Sequence, residues 1–163
     1  MSLDAFIKID GIPGESTDKK HQDWISVHSY SIGVEQETSS EKHDQGNATV
    51  GRAEFDDLTI TKRVDIASPL LFKACAKGTH IKEIILQLHR AGGDKVLYME
   101  YKLTNSIVSS WRPYADKDHK MSVETVSFNP GKIELVYSQE TRDGKGIKQN
   151  ISAGWDLEAN DEI

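Results

Sequence analysis

The sequence of 163 residues lacks the features that mark disulfide-linked, membrane-spanning or nucleic-acid-binding proteins. Its single cysteine, Cys75, excludes an intrachain disulfide and suits a reducing cytoplasm. No apolar run approaches the roughly 20 residues that span a bilayer. The net charge of -6 argues against binding to phosphate backbones. We therefore expect one soluble domain, residues 1–163, with no nucleic-acid partner and no membrane insertion by this chain.

The N-terminal residues do not predict a cleavable export signal. The first eight residues read MSLDAFIK, with no basic region followed by an apolar stretch. If the protein leaves the cell, we expect it to use a route other than the signal-peptide pathway.

Motifs for catalysis and for metal binding are absent from the sequence. There is no Gly-x-Ser-x-Gly elbow, no phosphate-binding loop and no dinucleotide fingerprint. Cys75 is predicted to be a packed thiol. A strand could place His28 near His89, but we interpret these histidines as surface or packed imidazoles. We expect no enzymatic activity, no catalytic residue, no cofactor and no metal site. The histidines have no metal-ligand spacing with cysteine; they are His21, His28, His43, His80, His89 and His119.

Most of what is present predicts β-strands. In residues 24–34 the apolar phase changes near His28 or Ser29, which indicates a bulge or burial on both faces. The sequence Ala91-Gly92-Gly93-Asp94 predicts a hairpin turn, and Pro130 predicts a bulge or an edge. The acidic end, residues 158–163, is expected to be frayed. The predicted strands are residues 6–9, 24–34, 55–63, 81–90, 97–111, 121–137 and 151–157.

One helix is predicted between Ser68 and Gly78. Ser68 can accept a bond from a free backbone N–H, Pro69 suits the first helical position, and Gly78 can close the helix. An apolar stripe that must dock on a sheet is formed by Leu71, Ala74 and Cys75. The fold class is therefore mainly β: a compact antiparallel β-barrel, or two packed sheets, with one flanking α-helix and an extended loop.

Two features point towards contacts with other subunits. Residues 35–51 are polar, have no apolar rhythm and are predicted to form one long loop, which is more often functional than not. The strand at residues 97–111 exceeds the usual strand length. In a monomer its ends would be exposed edges, and a neighbouring subunit could pair with them.

The order of several short segments is specific. They are FIKI at 6–9, GES at 14–16, LTITK at 58–62, SP at 68–69, AC at 74–75, RAGG at 90–93, VSS at 108–110, ETV at 124–126 and GW at 154–155. In this order they resemble the haemolysin-coregulated protein (Hcp) family, the tube proteins of type VI secretion systems. The resemblance covers essentially the whole chain.

The resemblance implies a homohexameric ring and rings that stack into a tube inside a contractile sheath. Contraction would drive the tube and the spike protein at its tip outwards, with small effector proteins in the lumen. The protein would assemble in the bacterial cytoplasm and be secreted without a cleaved signal peptide.

The same resemblance implies two sets of interface residues. The ring-stacking loop corresponds to residues 35–51, with candidates Glu37, Ser39, Glu41, Lys42, His43, Asp44, Asn47 and Val50. The loop facing the lumen and its cargo corresponds to residues 112–120, with candidates Arg112, Tyr114, Asp116, Lys117 and His119.

Two other functions stay open from the residues alone. A monomeric ligand- or glycan-binding β-barrel would use exposed tryptophans, although packing is the more common role of Trp24, Trp111 and Trp155. A barrel hydrolase would need two suitably spaced carboxylates, and no pair stands out, Asp56 and Asp57 included.

Overall fold

The computed structural model describes residues 4–38, 50–91, 95–115, 117–118 and 120–163. These residues form twelve strands and one helix. In chain order they are β1 (Asp4–Ile9), β2 (Ile25–Val27), β3 (Ser29–Ser31), β4 (Val34–Thr38), β5 (Val50–Phe55), β6 (Leu58–Arg63), α1 (Ser68–Lys77), β7 (Ile81–His89), β8 (Leu97–Tyr114), β9 (Val123–Asn129), β10 (Lys132–Glu140), β11 (Ile147–Asp156) and β12 (Asp161–Glu162).

Two antiparallel sheets pack against each other around one apolar core. The larger sheet has the order β12-β11-β10-β8-β7-β1-β2, and the second sheet has the order β3-β6-β9-β8. The predicted mainly β fold with two packed sheets and one flanking helix is confirmed. The strands of the described residues do not close into one continuous hydrogen-bonded barrel. Core side chains include Ile7, Ile84, Leu86 and Leu103 from the larger sheet and Leu58, Ile60, Val126 and Phe128 from the second.

Strand β8 belongs to both sheets, which explains its length. Thr104 in its first half pairs with β7 and β10, whereas Val108 in its second half pairs with β9. Between them Asn105 has a φ of 50°, a left-handed conformation that lets the strand turn a corner. The first half of β8 is paired on both sides, whereas residues 107–114 pair with β9 on one side only and form an edge of the second sheet, so the expected strand edge is present in the second half.

A second corner lies where the apolar phase changes near His28. Ile25 and Val27 are buried in the larger sheet through β1, while Tyr30 pairs with Ile60 in the second sheet. The His28 N–H donates to the Thr61 carbonyl at 2.8 Å. The phase change therefore marks a move from one sheet to the other, not the predicted bulge or burial on both faces.

Helix α1 begins differently from the prediction. The N-cap residue is Ala67 and makes no side-chain capping bond, so the prediction of Ser68 as the cap was wrong. The Ser68 hydroxyl is buried, accepts a bond from the Asp65 N–H at 3.0 Å and donates to Glu124. The C-terminal prediction is confirmed, because Gly78 closes the helix with a φ of 65°. Leu71 and Ala74 are buried and Cys75 packs against the core, so the apolar stripe docks as predicted.

The remaining boundaries differ at turns. The predicted strand 55–63 splits after Phe55, and residues 121–137 break at Pro130 and Gly131, where the chain changes sheets. A Cβ on Gly131 would lie 2.9 Å from the Asn105 carbonyl oxygen, so glycine is needed there. The predicted turn at residues 91–94 lies largely outside the described residues.

The acidic end is not frayed as expected. Asp161–Glu162 pairs with β11, and the Ile163 N–H donates to the Gly154 carbonyl at 3.3 Å. Among the described residues no helix is both long and apolar enough to cross a membrane.

Candidate assembly surfaces

The segment predicted as one stacking loop contains a β-hairpin. Strands β4 and β5 form a two-stranded sheet of their own, with Val34 opposite Phe55 and Thr38 opposite Val50. We call residues 34–38 and 50–55 the arm. Glu37 is exposed in β4, and Val50 begins β5. Six other candidates lie outside the described residues: Ser39, Glu41, Lys42, His43, Asp44 and Asn47.

The arm is anchored at its base and on one strand. The Asp56 N–H donates to the Gly33 carbonyl at 2.9 Å, and Arg52 Nη2 donates to the Leu157 carbonyl at 3.0 Å. All of β4 is exposed to solvent. Because an isolated two-stranded hairpin is marginally stable in water, this geometry suits an element that gains further contacts from a partner.

The predicted lumen loop begins later than expected. Arg112 and Tyr114 belong to the end of β8, where they pair with Thr125 and Val123 of β9. Both side chains are exposed, as is Lys117. The other two candidates, Asp116 and His119, lie outside the described residues. The structure therefore presents a firmly held aromatic and cationic strand end at this position.

An apolar surface on β10 and β11 was missed by sequence reasoning. Tyr137 and Ile151 are cross-strand partners, and their side chains are 40% and 61% exposed. They share the sheet face of half-buried Leu135 and exposed Ala153. We call these four residues the hairpin patch. It continues the inner face of the larger sheet beyond the part that the second sheet covers.

A second apolar surface surrounds the start of α1. We call it the helix patch, and its members are all exposed. The Val64 N–H donates to the Ser122 carbonyl beside Met121, and the Phe72 ring lies 5.4 Å from the Trp111 ring. Its members are Val64, Ile66, Leu70, Phe72 and Met121. Contiguous exposed apolar side chains commonly mark protein–protein contacts.

A buried ionic network fixes the helix that carries this patch. Lys62 Nζ donates to Glu124 and, at 2.8 Å, to Asp65, and the side chains of Lys62 and Glu124 are fully buried. Glu124 also accepts bonds from Ser68 Oγ and from Trp111 Nε1, both at 2.8 Å. The network joins β6, β8, β9 and α1, so it sets the position of α1 on the second sheet. Its composition satisfies the rule that buried charges are paired.

A second buried polar cluster contains two histidines. His89 Nε2 lies 3.1 Å from His21 Nε2. His28 is exposed and His89 is buried, so the interpretation of these side chains as surface or packed imidazoles is confirmed. His21 Nδ1 lies 2.8 Å from Asp18. Hydrogen bonds from His21 and then from Lys95 hold the pKa of Asp18 well below its usual range. Burial, and next the charge of His21, lowers the pKa of His89.

The tryptophans have separate packing roles. Trp24 meets the His21 ring edge-on at 4.9 Å, Trp111 donates to Glu124, and Trp155 packs against the core. Among the described residues, no three His, Cys, Asp or Glu side chains are grouped to hold a metal ion. Exposed features of the described residues include the arm, the β8 end and the two apolar patches.

The family model described as "Type VI secretion system effector, Hcp" matches residues 6–137. This chain belongs to the Hcp family. Protein hcp1 of Pseudomonas aeruginosa is 32% identical to it over 98% of both chains. The resemblance found in the sequence is thus confirmed, and this Hcp-family chain is a type VI secretion tube protein.

Solved structures agree with this assignment. One described as a type six secretion system protein is 30% identical, covers 99% of this chain and 100% of its own, and has a TM-score of 0.93. Hcp1 from Salmonella typhimurium is 35% identical with full coverage of both chains and a TM-score of 0.82. The two-sheet fold with its single flanking helix is therefore that of the Hcp family.

Proposed function

We propose that this Hcp-family chain assembles into homohexameric rings that stack into a secretion tube. Contraction of a surrounding sheath propels the tube with a spike protein at its tip, and small effector proteins travel in the lumen. The protein assembles in the bacterial cytoplasm and is then secreted without a cleaved signal peptide. The observation that carries this proposal is the presence of two unlike apolar patches on one subunit.

A ring requires a head-to-tail contact between two different surfaces of the same chain. The hairpin patch lies on a sheet face, and the helix patch lies around α1 and residues 64–66. Burying one against the other in the next copy removes both from water and leaves a free patch at each end of the pair. Such a contact repeats until the ring closes, which a self-complementary contact cannot do.

The arm and the end of β8 supply the remaining contacts in this proposal. The exposed arm, with residues 39–49 between its strands, stacks one ring on the next. Arg112, Tyr114 and Lys117 face the lumen and contact cargo through cationic and aromatic groups. Deleting residues 39–49 should leave rings intact while weakening their stacking, which electron microscopy of negatively stained protein can show. Rings that dissolve on this deletion would contradict the role given to the arm.

Light scattering at micromolar concentration tests the assembly itself. We expect the mass of a hexamer, and of stacked rings at higher concentration. A single-copy mass under all conditions would contradict the proposal and would favour a monomeric binding barrel.

A further inference from the structure

An open groove of about 520 Å³ lies between the start of β8 and the turn that joins β10 to β11. Its wall includes three lysines and two histidines: Lys20, Lys95, Lys145, His21 and His89. Among the described residues that line it there is no aspartate or glutamate. This is unexpected in a chain with a net charge of -6. Asp18 pairs with His21 and Lys95, so Lys20 and Lys145 are the groove cations that can attract an anion.

The hydrogen bonds around His21 fix which nitrogen of His89 carries a proton. Gln87 Nε2 donates to Glu100 at 2.7 Å, which turns the Gln87 carbonyl oxygen towards His21 Nε2 at 2.9 Å. Because His21 Nδ1 faces the Asp18 carboxylate, both nitrogens of His21 act as donors. His89 Nε2, 3.1 Å from His21 Nε2, must then be an acceptor. The remaining nitrogen of His89, Nδ1, is therefore an N–H donor.

This donor has no partner among the described residues. His89 is 4% exposed, and its Nδ1 atom is buried without a hydrogen bond. Leaving a buried N–H unpaired is unfavourable, so a ligand acceptor that reached this N–H would be favoured. Lys20 and Lys145 line the groove without an ion-pair partner among the described residues. Lys95 differs, because it lies 3.0 Å from Asp18 and 3.7 Å from Asp4.

The apolar part of the wall narrows the class of ligand. Val96, Leu97 and Ile147 line the groove beside the cationic groups. A small, strongly hydrated anion would leave these side chains without a partner. A carboxylate attached to a short apolar group would place its oxygens near the lysines and His89 and its carbon atoms against the apolar wall.

We propose that this groove binds a carboxylate that carries a short apolar group. Two sources share this chemistry: the C-terminus of a peptide that ends in an apolar residue, and a short alkyl carboxylate. The proposal does not depend on ring formation, because every group in it belongs to one subunit.

Isothermal titration calorimetry of the purified full chain tests the proposal with three probes. N-acetyl-leucine presents a peptide C-terminus, hexanoate presents an alkyl carboxylate, and N-acetyl-leucinamide keeps the leucine side chain but lacks the carboxylate. We expect saturable binding of at least one carboxylate that weakens with added salt, and no binding of the amide. Binding of N-acetyl-leucine alone identifies the peptide source, and binding of hexanoate alone identifies the alkyl source.

Two exposed lysines provide a variant that should fold normally. The double substitution Lys20→Ala and Lys145→Ala should weaken carboxylate binding by about tenfold or more, since two charge-assisted contacts are lost. The matched control, Lys73→Ala with Lys77→Ala, removes two exposed lysines of α1 outside the groove and should bind as the parent does. The proposal is overturned if neither carboxylate binds, if the amide binds equally well, or if both double variants bind alike.

Discussion

The inner face of the larger sheet changes from buried to exposed along a single row of cross-strand neighbours. Ala5 and Leu88 are 3% and 1% exposed, Met99 is half-buried, and Tyr137 and Ile151 are 40% and 61% exposed. The residues are apolar throughout the row. The two ends differ in what packs on them. The second sheet packs over β1 and β7 and leaves the outer parts of β10 and β11 exposed to solvent. The first region is buried within one subunit, whereas the second is open to solvent.

The largest effect is expected within the covered region, at the buried ion pair. Glu124→Ala should lower the free energy of unfolding by about 3–5 kcal/mol, because it removes the fully buried carboxylate partner of the Lys62 ammonium. Lys62 then keeps its ion pair with Asp65, but the buried Ser68 hydroxyl loses its acceptor. Urea unfolding measures the change. Glu134→Ala is the matched control, since its carboxylate is partly exposed and makes a long ion pair of 3.9 Å with Lys102. We expect its free energy of unfolding to change by less than about 1 kcal/mol. Equal losses would show that the network does not hold the second sheet and α1 together.

The next prediction compares a position in the covered region with the open end of the row. Leu86→Ala, at a fully buried position, should cost about 2–5 kcal/mol through the cavity it leaves. Ile151→Ala should cost less than about 1 kcal/mol in dilute protein, where single subunits are compared. Denaturant midpoints measured at low protein concentration check both values. If the two variants lose similar stability, the outer end is already covered within one subunit.

A smaller and local effect is expected at the arm. Arg52→Ala removes one hydrogen bond to the Leu157 carbonyl, which is worth about 0.5–1.5 kcal/mol. Hydrogen exchange should speed up in β5 and stay unchanged in β7. Arg63→Ala serves as the control, because Arg63 Nη1 makes a weak contact with the Met121 sulfur at 3.8 Å. Unchanged exchange in β5 would show that Arg52 does not anchor the arm.

The smallest expected effect concerns the pH dependence of stability and the buried His89. The pKa of His89 is lower in the folded protein than in the unfolded chain. Below about pH 6.5 the unfolded chain therefore protonates His89 more readily than the folded protein does. Stability should therefore fall as the pH drops through this value towards the lower pKa of the folded protein. His89→Gln should flatten this slope in urea unfolding measured between pH 7 and pH 5. An unchanged slope would assign the pH dependence to other groups.

The sequence predicted the sheets and the helix because alternation and helix signals are local. It did not predict the corners at His28 and Asn105, since a phase change shows that the buried side changes but not which sheet receives the strand. The arm was missed because β4 is exposed on both faces and so has no apolar alternation. Serine is a common N-cap residue, but the Ser68 hydroxyl donates to Glu124, which is distant in sequence and so could not be foreseen as its partner.

The assembly surfaces were harder to predict for a related reason. Tyr137 and Ile151 show the same apolar alternation as core residues, so a sequence cannot show that the second sheet stops before it reaches them. The groove lysines were likewise not apparent, because Lys20 and Lys145 are distant in sequence and line one groove only in the folded chain.

Mixing two patch variants tests most directly whether one copy covers the open end of another. Ile151→Lys disrupts the hairpin patch and Phe72→Lys disrupts the helix patch, both at exposed positions. Light scattering should give a single-copy mass for each variant alone and a two-copy mass for their mixture, because one intact pair of unlike patches remains. If each variant alone keeps the mass of the parent assembly, the two patches do not join neighbouring subunits.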